Sequence, residues 1–184
     1  AALLPETIPE KDGLIKRENL GMIRGRTRRN QLDMAKKYGI ENPPNAGGGC
    51  LLTEPQFGIK AKDLFEHTKN PTINDIDLLK IGRHFRLDEE TKFVVGRNKD
   101  ENEMIKAIAL PDDILLEAKD FVGPVSILRG VNSKKHLEFA SSVTLRYSDA
   151  PNDKTEIVSI KQSDSVEEIT SESAKEESYI QFRM

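Results

Sequence analysis

A change of hydrophobic period at Gly82 limits what this chain can fold into. Before it, apolar residues recur three and four apart, the spacing of one helix face. Leu32, Ala35 and Tyr38 give a helix over residues 28–38, with Gly39 as its stop. Phe57, Ala61, Leu64 and Phe65 give a second over 54–66, where Thr53 and Gln56 have capping-box spacing and Pro55 fits the first turn. Thr72-Ile73-Asn74-Asp75 opens a third, capped helix. A short helix near residues 17–22 is expected in an otherwise loop-rich start. After Gly82 the runs shorten and turn β-branched or aromatic. Residues 84–87 and 92–96 read as strands joined by the acidic turn Asp88-Glu89-Glu90. Helices over 99–109 and 133–147 then alternate with strands over 112–118, 125–129 and 156–162. The acidic, serine-rich stretch 163–178 reads as a mobile excursion, and 179–183 as a last strand. This order predicts an α+β protein: a helical N-terminal segment over 1–69, then a mixed β-sheet domain flanked by helices over 70–184.

Composition narrows the function classes. A hydrophobic share of 36% with 32% charged residues fits a soluble protein. No apolar run approaches the roughly 18 residues of a membrane span, and no signal-peptide pattern opens the chain. The single cysteine excludes an internal disulfide and fits a reducing cytoplasm. With no Trp and 5% aromatics, platforms for stacking single-stranded bases are sparse. The chain begins Ala-Ala-Leu-Leu-Pro rather than with Met, so we expect a piece of a longer protein. The net charge of −3 is unevenly laid out. Residues 1–62 hold 11 Lys/Arg against 7 Asp/Glu, residues 63–148 hold 13 against 15, and residues 149–184 hold 4 against 9. A polyanion is therefore expected to meet the first region, where Arg24, Arg26, Arg28 and Arg29 fall within six positions. A solvated helix start with ordinary surface arginines is the alternative.

Cys50 sits between Gly47-Gly48-Gly49 and the helix start near residue 54. Glycines let a bulky ligand come close, and a thiol beside a helix N-terminus lies near unpaired N–H groups that favour its thiolate. That suits a sulfur nucleophile or carrier; a buried thiol in a tight turn is the alternative. Val95-Gly96-Arg97-Asn98 leads a strand into a helix, exposing backbone N–H groups beside a guanidinium, which suits a phosphate. Asn98 and Glu101 equally read as a capping box with Gly96 as a turn. Gly82-Arg83-His84-Phe85 is similar in kind, with His84 either a phosphate or base contact or a satisfied surface or core residue, and Arg129 and Arg146 would extend a basic face. His67, His84, His136 and Cys50 show no paired-ligand spacing, so no metal site is expected.

Two resemblances follow from these strings. Leu3-Leu4-Pro5, Gly25-Arg26-Thr27-Arg28-Arg29-Asn30-Gln31 and Gly48-Gly49-Cys50-Leu51-Leu52-Thr53 resemble the C-terminal part of the PP-loop (adenine nucleotide alpha-hydrolase-like) tRNA thiouridylases. In that family an N-terminal domain adenylates a uridine carbonyl with ATP, and a cysteine persulfide or thiocarboxylate delivers sulfur. The resemblance implies Cys50 as the catalytic sulfur carrier and the Arg24–Arg29 cluster against phosphates. It also implies tRNA and a sulfur donor protein as partners, with no membrane. The family's ATP loop, Ser-Gly-Gly-x-Asp-Ser, is absent here. ATP is thus implied for the full-length protein, no cofactor for this part, and no catalysis by this part alone.

Gly82-Arg83-His84-Phe85, the string from Val94 to Asn102, Asp113-Ile114-Leu115, Gly123-Pro124 and Arg146-Tyr147-Ser148 are similar to the NFACT-R RNA-binding module. That likeness implies RNA contacts by Arg83, His84, Arg97, Asn98 and Arg146. The Trp and His usual on one strand of that module are replaced here by Asp113-Ile114-Leu115-Leu116-Glu117, so their roles do not carry over. The expected function is tRNA binding by part of an ATP-dependent tRNA thiouridine synthase. The alternative, favoured by the acidic tail, is a protein-interaction or dimerisation module that docks a sulfur donor without touching RNA.

Overall fold

The computed structural model describes residues 5–20, 28–41, 51–131 and 133–184. It forms two compact units, 1–48 and 49–184. In the first, the Glu10 carboxylate accepts from the Thr7 backbone N–H at 2.7 Å and from Arg17 Nε at 2.5 Å. These bonds fix the start of helix α1 (Ile8–Lys11) and tie it to a 3₁₀ turn over Arg17–Leu20. Helix α2 (Arg29–Lys37) ends before Gly39, whose φ is +69°. Of its expected apolar stripe only Ala35 is buried.

The second unit opens with a 3₁₀ turn over Leu51–Thr53 and helix α3 (Pro55–His67). The N-cap of α3 is Glu54, one residue after the Thr53 to which the spacing points. Helix α4 (Ile73–Leu79) carries the expected cap: Thr72 Oγ1 accepts from the Asp75 N–H, and the Asp75 carboxylate accepts from the Thr72 N–H at 2.9 Å. Gly82 then turns the chain into the sheet with φ +73°. A Cβ there would lie 2.5 Å from Val94 Cγ1 and 2.8 Å from Val95 O, so only glycine fits.

The remaining elements are β1 (Arg83–Arg86), β2 (Thr91–Val95), α5 (Lys99–Ile108), β3 (Ile114–Ala118), β4 (Ser126–Gly130), α6 (Lys134–Arg146), β5 (Thr155–Gln162), β6 (Ser165–Glu172) and α7 (Glu176–Tyr179). The strands make one sheet in the order β1-β2-β4-β3-β5-β6, antiparallel at every pairing. The expected α+β class holds. Strand β2 is buried on both faces, which places it in the middle of a three-layer core. Phe93 and Val95 pack toward Ala140, Val143 and Leu145 of α6. Val94 packs the other way, toward Leu78 of α4 and Ile105 of α5. Complete burial of a side chain such as Phe93 stabilises the fold by about 1.5–3 kcal/mol. Helix α3 packs in this unit, with Ala61 and Leu64 against Leu79.

Two sequence-based expectations are corrected. Part of the stretch read as a mobile excursion is strand β6, paired with β5 along its full length from Thr155↔Glu172 to Gln162↔Ser165. The segment read as a last strand is instead α7 followed by a 3₁₀ turn over Ile180–Phe182, with a single bridge between Phe85 and Arg183. Tyr179 and Phe182 both pack on the α6-side core. A strand would point residues three apart to opposite faces, whereas a 3₁₀ turn stacks them on one.

Candidate nucleic-acid interface

Most of the string from Val95 to Asn102 holds the fold together. A Cβ on Gly96 would fall 2.2 Å from Asn102 Oδ1 and 3.2 Å from Val125 O, so the backbone approach there demands glycine. Asn102 accepts from the Val125 N–H at 3.0 Å and donates to Gly123 O at 3.3 Å, tying the 123–125 segment to α5. Asn98 is the N-cap of α5, its Oδ1 accepting from the Glu101 N–H at 2.9 Å. Glu101 does not close a capping box. Its carboxylate accepts instead from the backbone N–H of Arg97 at 2.8 Å and of Gly82 at 3.2 Å, and from the Arg97 guanidinium. Burial acts to raise the Glu101 pKa, but the bonds from Arg97 outweigh it and hold the carboxyl below its usual range.

Beside this corner lies a cleft of about 440 Å³. Arg83, Arg97 and Lys99 line it together with Val122, Tyr147 and Asp149. Three elements place these groups: the start of β1, the N-terminus of α5 and the end of α6. Arg83 lies over the Tyr147 ring, 4.6 Å from its centroid, and donates to Gly96 O at 3.4 Å. A guanidinium over an aromatic face is attracted by the ring quadrupole. Burial, and then a hydrogen bond with Tyr179, push the Tyr147 pKa up, so its hydroxyl stays protonated. The Arg97 side chain is 48% exposed despite its partner Glu101. Lys99 is exposed and forms no ion pair among the described residues.

The other candidates go elsewhere. His84 is corrected from a contact residue to a core residue. It is 1% exposed, and its Nε2–H donates to Ile81 O at 2.7 Å. Burial, and then the charges of Lys92 and Lys60, hold its pKa well below the ordinary value, so the ring is neutral. Nδ1 has no hydrogen-bond partner, and no face of the ring is left for RNA. Arg146 donates to Asn152 Oδ1 at 3.1 Å and is not among the residues that line the cleft. Arg28, the N-cap residue of α2, and Arg29, its first residue, border a hollow in the first unit with Leu32, Asp33 and Lys36. Arg24, Arg26 and Cys50 lie outside the described residues.

A second group of cations is sealed away. Arg86, Lys92 and Arg129 stand directly opposite one another across β1, β2 and β4. Asp63 of α3 pairs with Arg86 at 2.6 Å and with Lys92 at 3.2 Å. Arg129 is held by Asp75 at 2.9 Å and by Asp113 at 2.6 Å. Burial pushes the Lys92 amine down to about 8, against the pull of Asp63. Arg129, expected to extend a basic face, is thus largely covered, its side chain 15% exposed and held by two carboxylates.

Sequence reasoning missed Lys99, Tyr147 and Asp149 as cleft residues. The signal for the first two was present, since both stand inside the strings that carry the resemblance. Among the described residues no helix is long and apolar enough to cross a membrane.

Comparison with known proteins bears on the second unit. No curated protein matches the chain. A solved structure, the C-terminal of the fibronectin/fibrinogen-binding protein from Streptococcus suis, superposes with a TM-score of 0.51 at 14% identity. The superposition covers 84% of this chain and 76% of that one, a likeness of fold. The family of the NFACT protein RNA binding domain matches residues 82–183, the stretch that holds the sheet, α5, α6 and the whole lining of the cleft. That match spans more than half of the sequence, and the chain belongs to the NFACT RNA-binding domain family.

Proposed function

We propose that this chain binds RNA through the cleft bordered by Arg83, Arg97 and Lys99, and that its RNA is a tRNA. One observation carries the reading: three cations meet at an open cleft inside the family-matched region, while Arg86, Lys92 and Arg129 are largely covered and paired with carboxylates. A phosphate beside Lys99 also gains from the N-terminus of α5, where backbone N–H groups favour an anion. Arg97 presents an exposed guanidinium edge held in place by Glu101. Duplex RNA is read chiefly by shape, phosphates and 2′-hydroxyls, which suits a domain poor in aromatics. A filter-binding titration with tRNA at about 50 and 200 mM salt tests this, because phosphate contacts make affinity fall steeply with salt. Absence of salt-sensitive affinity would overturn it and favour a protein-docking module.

The finer reading is that residues 1–69 belong to a tRNA thiouridine synthase whose sulfur passes through Cys50. Its support is the Gly48-Gly49-Cys50-Leu51-Leu52-Thr53 string. The rate of Cys50 alkylation against pH tests it. A depressed apparent pKa is expected, and one at or above about 8.5 would mean an inert thiol.

A further inference from the structure

Resting on the RNA reading, we infer that the cleft takes one unpaired guanine nucleotide, with its phosphate toward Lys99 and Arg97 and its base edge on Asp149. A cleft built only for phosphates would exclude a carboxylate, yet Asp149 lines this one beside three cations. It forms no ion pair among the described residues. Its place is fixed by the backbone: the Asp149 N–H donates to Val122 O at 2.8 Å. The neighbouring contact is equally close, since a Cβ on Gly123 would lie 2.6 Å from Ser148 Cβ. An acid at that place suits a ligand that brings hydrogen-bond donors along with its negative charge. A nucleotide does both.

The donor pattern selects the base. An ionised carboxylate only accepts, through two oxygens side by side. Guanine alone among the four RNA bases presents two adjacent donors, N1–H and N2–H, on its pairing edge. Adenine, cytosine and uracil each set a donor beside an acceptor. In a duplex that edge is occupied, so the nucleotide must be unpaired. The walls suit a base as well. Arg83 is held over Tyr147 and offers a guanidinium for stacking, a common device for splayed-out RNA bases. Val122, 80% exposed, supplies an apolar side. A cleft of about 440 Å³ lies within the size range of small-ligand sites and is far too small for a helix.

The test uses fluorescence anisotropy of the 184-residue chain with five RNA hairpins: one fully paired, and four with a single bulged G, A, C or U. Bulged G should bind about tenfold tighter than the other four, the discrimination of one good bidentate contact. Asp149→Asn should remove that preference, so that bulged G no longer binds tighter than bulged A, C or U; a guanine preference that survives the substitution would overturn the pocket. Should a thermal melt show the variant unfolded, competition on the wild-type chain decides instead, with GMP expected to displace bulged-G RNA and AMP not. Equal, salt-sensitive affinity for all five hairpins would overturn the guanine pocket and leave RNA binding standing. No affinity for any of them would overturn both.

Discussion

The second unit holds two sets of three cations, and they behave in opposite ways. Arg86, Lys92 and Arg129 form a row across three adjacent strands, and Asp63, Asp75 and Asp113 neutralise them from the helices and a loop. Arg83, Arg97 and Lys99 border an open cleft, and among the described residues Glu101 is the one carboxylate paired to them. Each cation of the row lost most of its hydration on folding, and its carboxylate compensates for that loss. The cleft cations keep water that a phosphate can displace. The number of basic residues on a domain therefore says little about binding. What matters is whether the fold leaves each one an exposed edge, as Arg97 keeps one although Glu101 pairs with it.

Breaking the sealed set should show the largest effect. Asp63→Ala leaves Arg86 and Lys92 buried without their partner, and we expect a loss of about 3–5 kcal/mol of stability by chemical denaturation. A loss below about 1 kcal/mol would mean that water reaches the row. Gly96→Ala sharpens the comparison at the cleft corner. The new methyl collides with Asn102 Oδ1 and crowds Val125 O, and about 1–3 kcal/mol should be lost with thermal stability as the readout.

Acid titration probes both sets together. Asp63, Asp75 and Glu101 have pKa values depressed in the folded state; burial opposes the shift in each, and hydrogen bonds from Arg86, Thr72 and Arg97 overcome it. As pH falls, the unfolded chain takes up protons first, so stability present above about pH 4.5 drains away below it. Stability that stays flat down to pH 3 would contradict the pairings. The smallest expected effect is Lys99→Ala. It should leave stability within about 0.5 kcal/mol and lower the salt slope of RNA binding by about one.

Legibility of the fold tracked how locally each signal acts. The Thr72–Asp75 cap and the Asn98 cap were visible because a cap involves residues three apart in sequence. Strand β6 was not visible. Its residues are mostly solvated, and Ile169 is its side chain packed on the α6-side core, so pairing with β5 holds the strand and leaves little hydrophobic pattern. The C-terminal segment misled for a different reason. Ile180 and Phe182 alternate with Gln181 and Arg183, which suits a strand, but burying Tyr179 and Phe182 together requires a turn. Arg83, Arg97 and Asn98, expected from their strings to contact RNA, line one cleft. His84 looked equivalent to Arg83 one position earlier, yet successive strand residues face opposite ways, and its side is the interior.

The chain alone determined the switch from helical to strand period at Gly82, the caps at Thr72 and Asn98, and the string that marks the family, since these depend on neighbours within a few positions. Tertiary structure decided which arginines meet solvent. Arg129 and Arg97 are alike in composition, but one finds Asp75 and Asp113 from distant parts of the chain while the other keeps an exposed edge. Charge is written in the sequence. Whether it is satisfied depends on which carboxylates the fold brings within about 4 Å, where the interaction is strong enough to hold a cation inside.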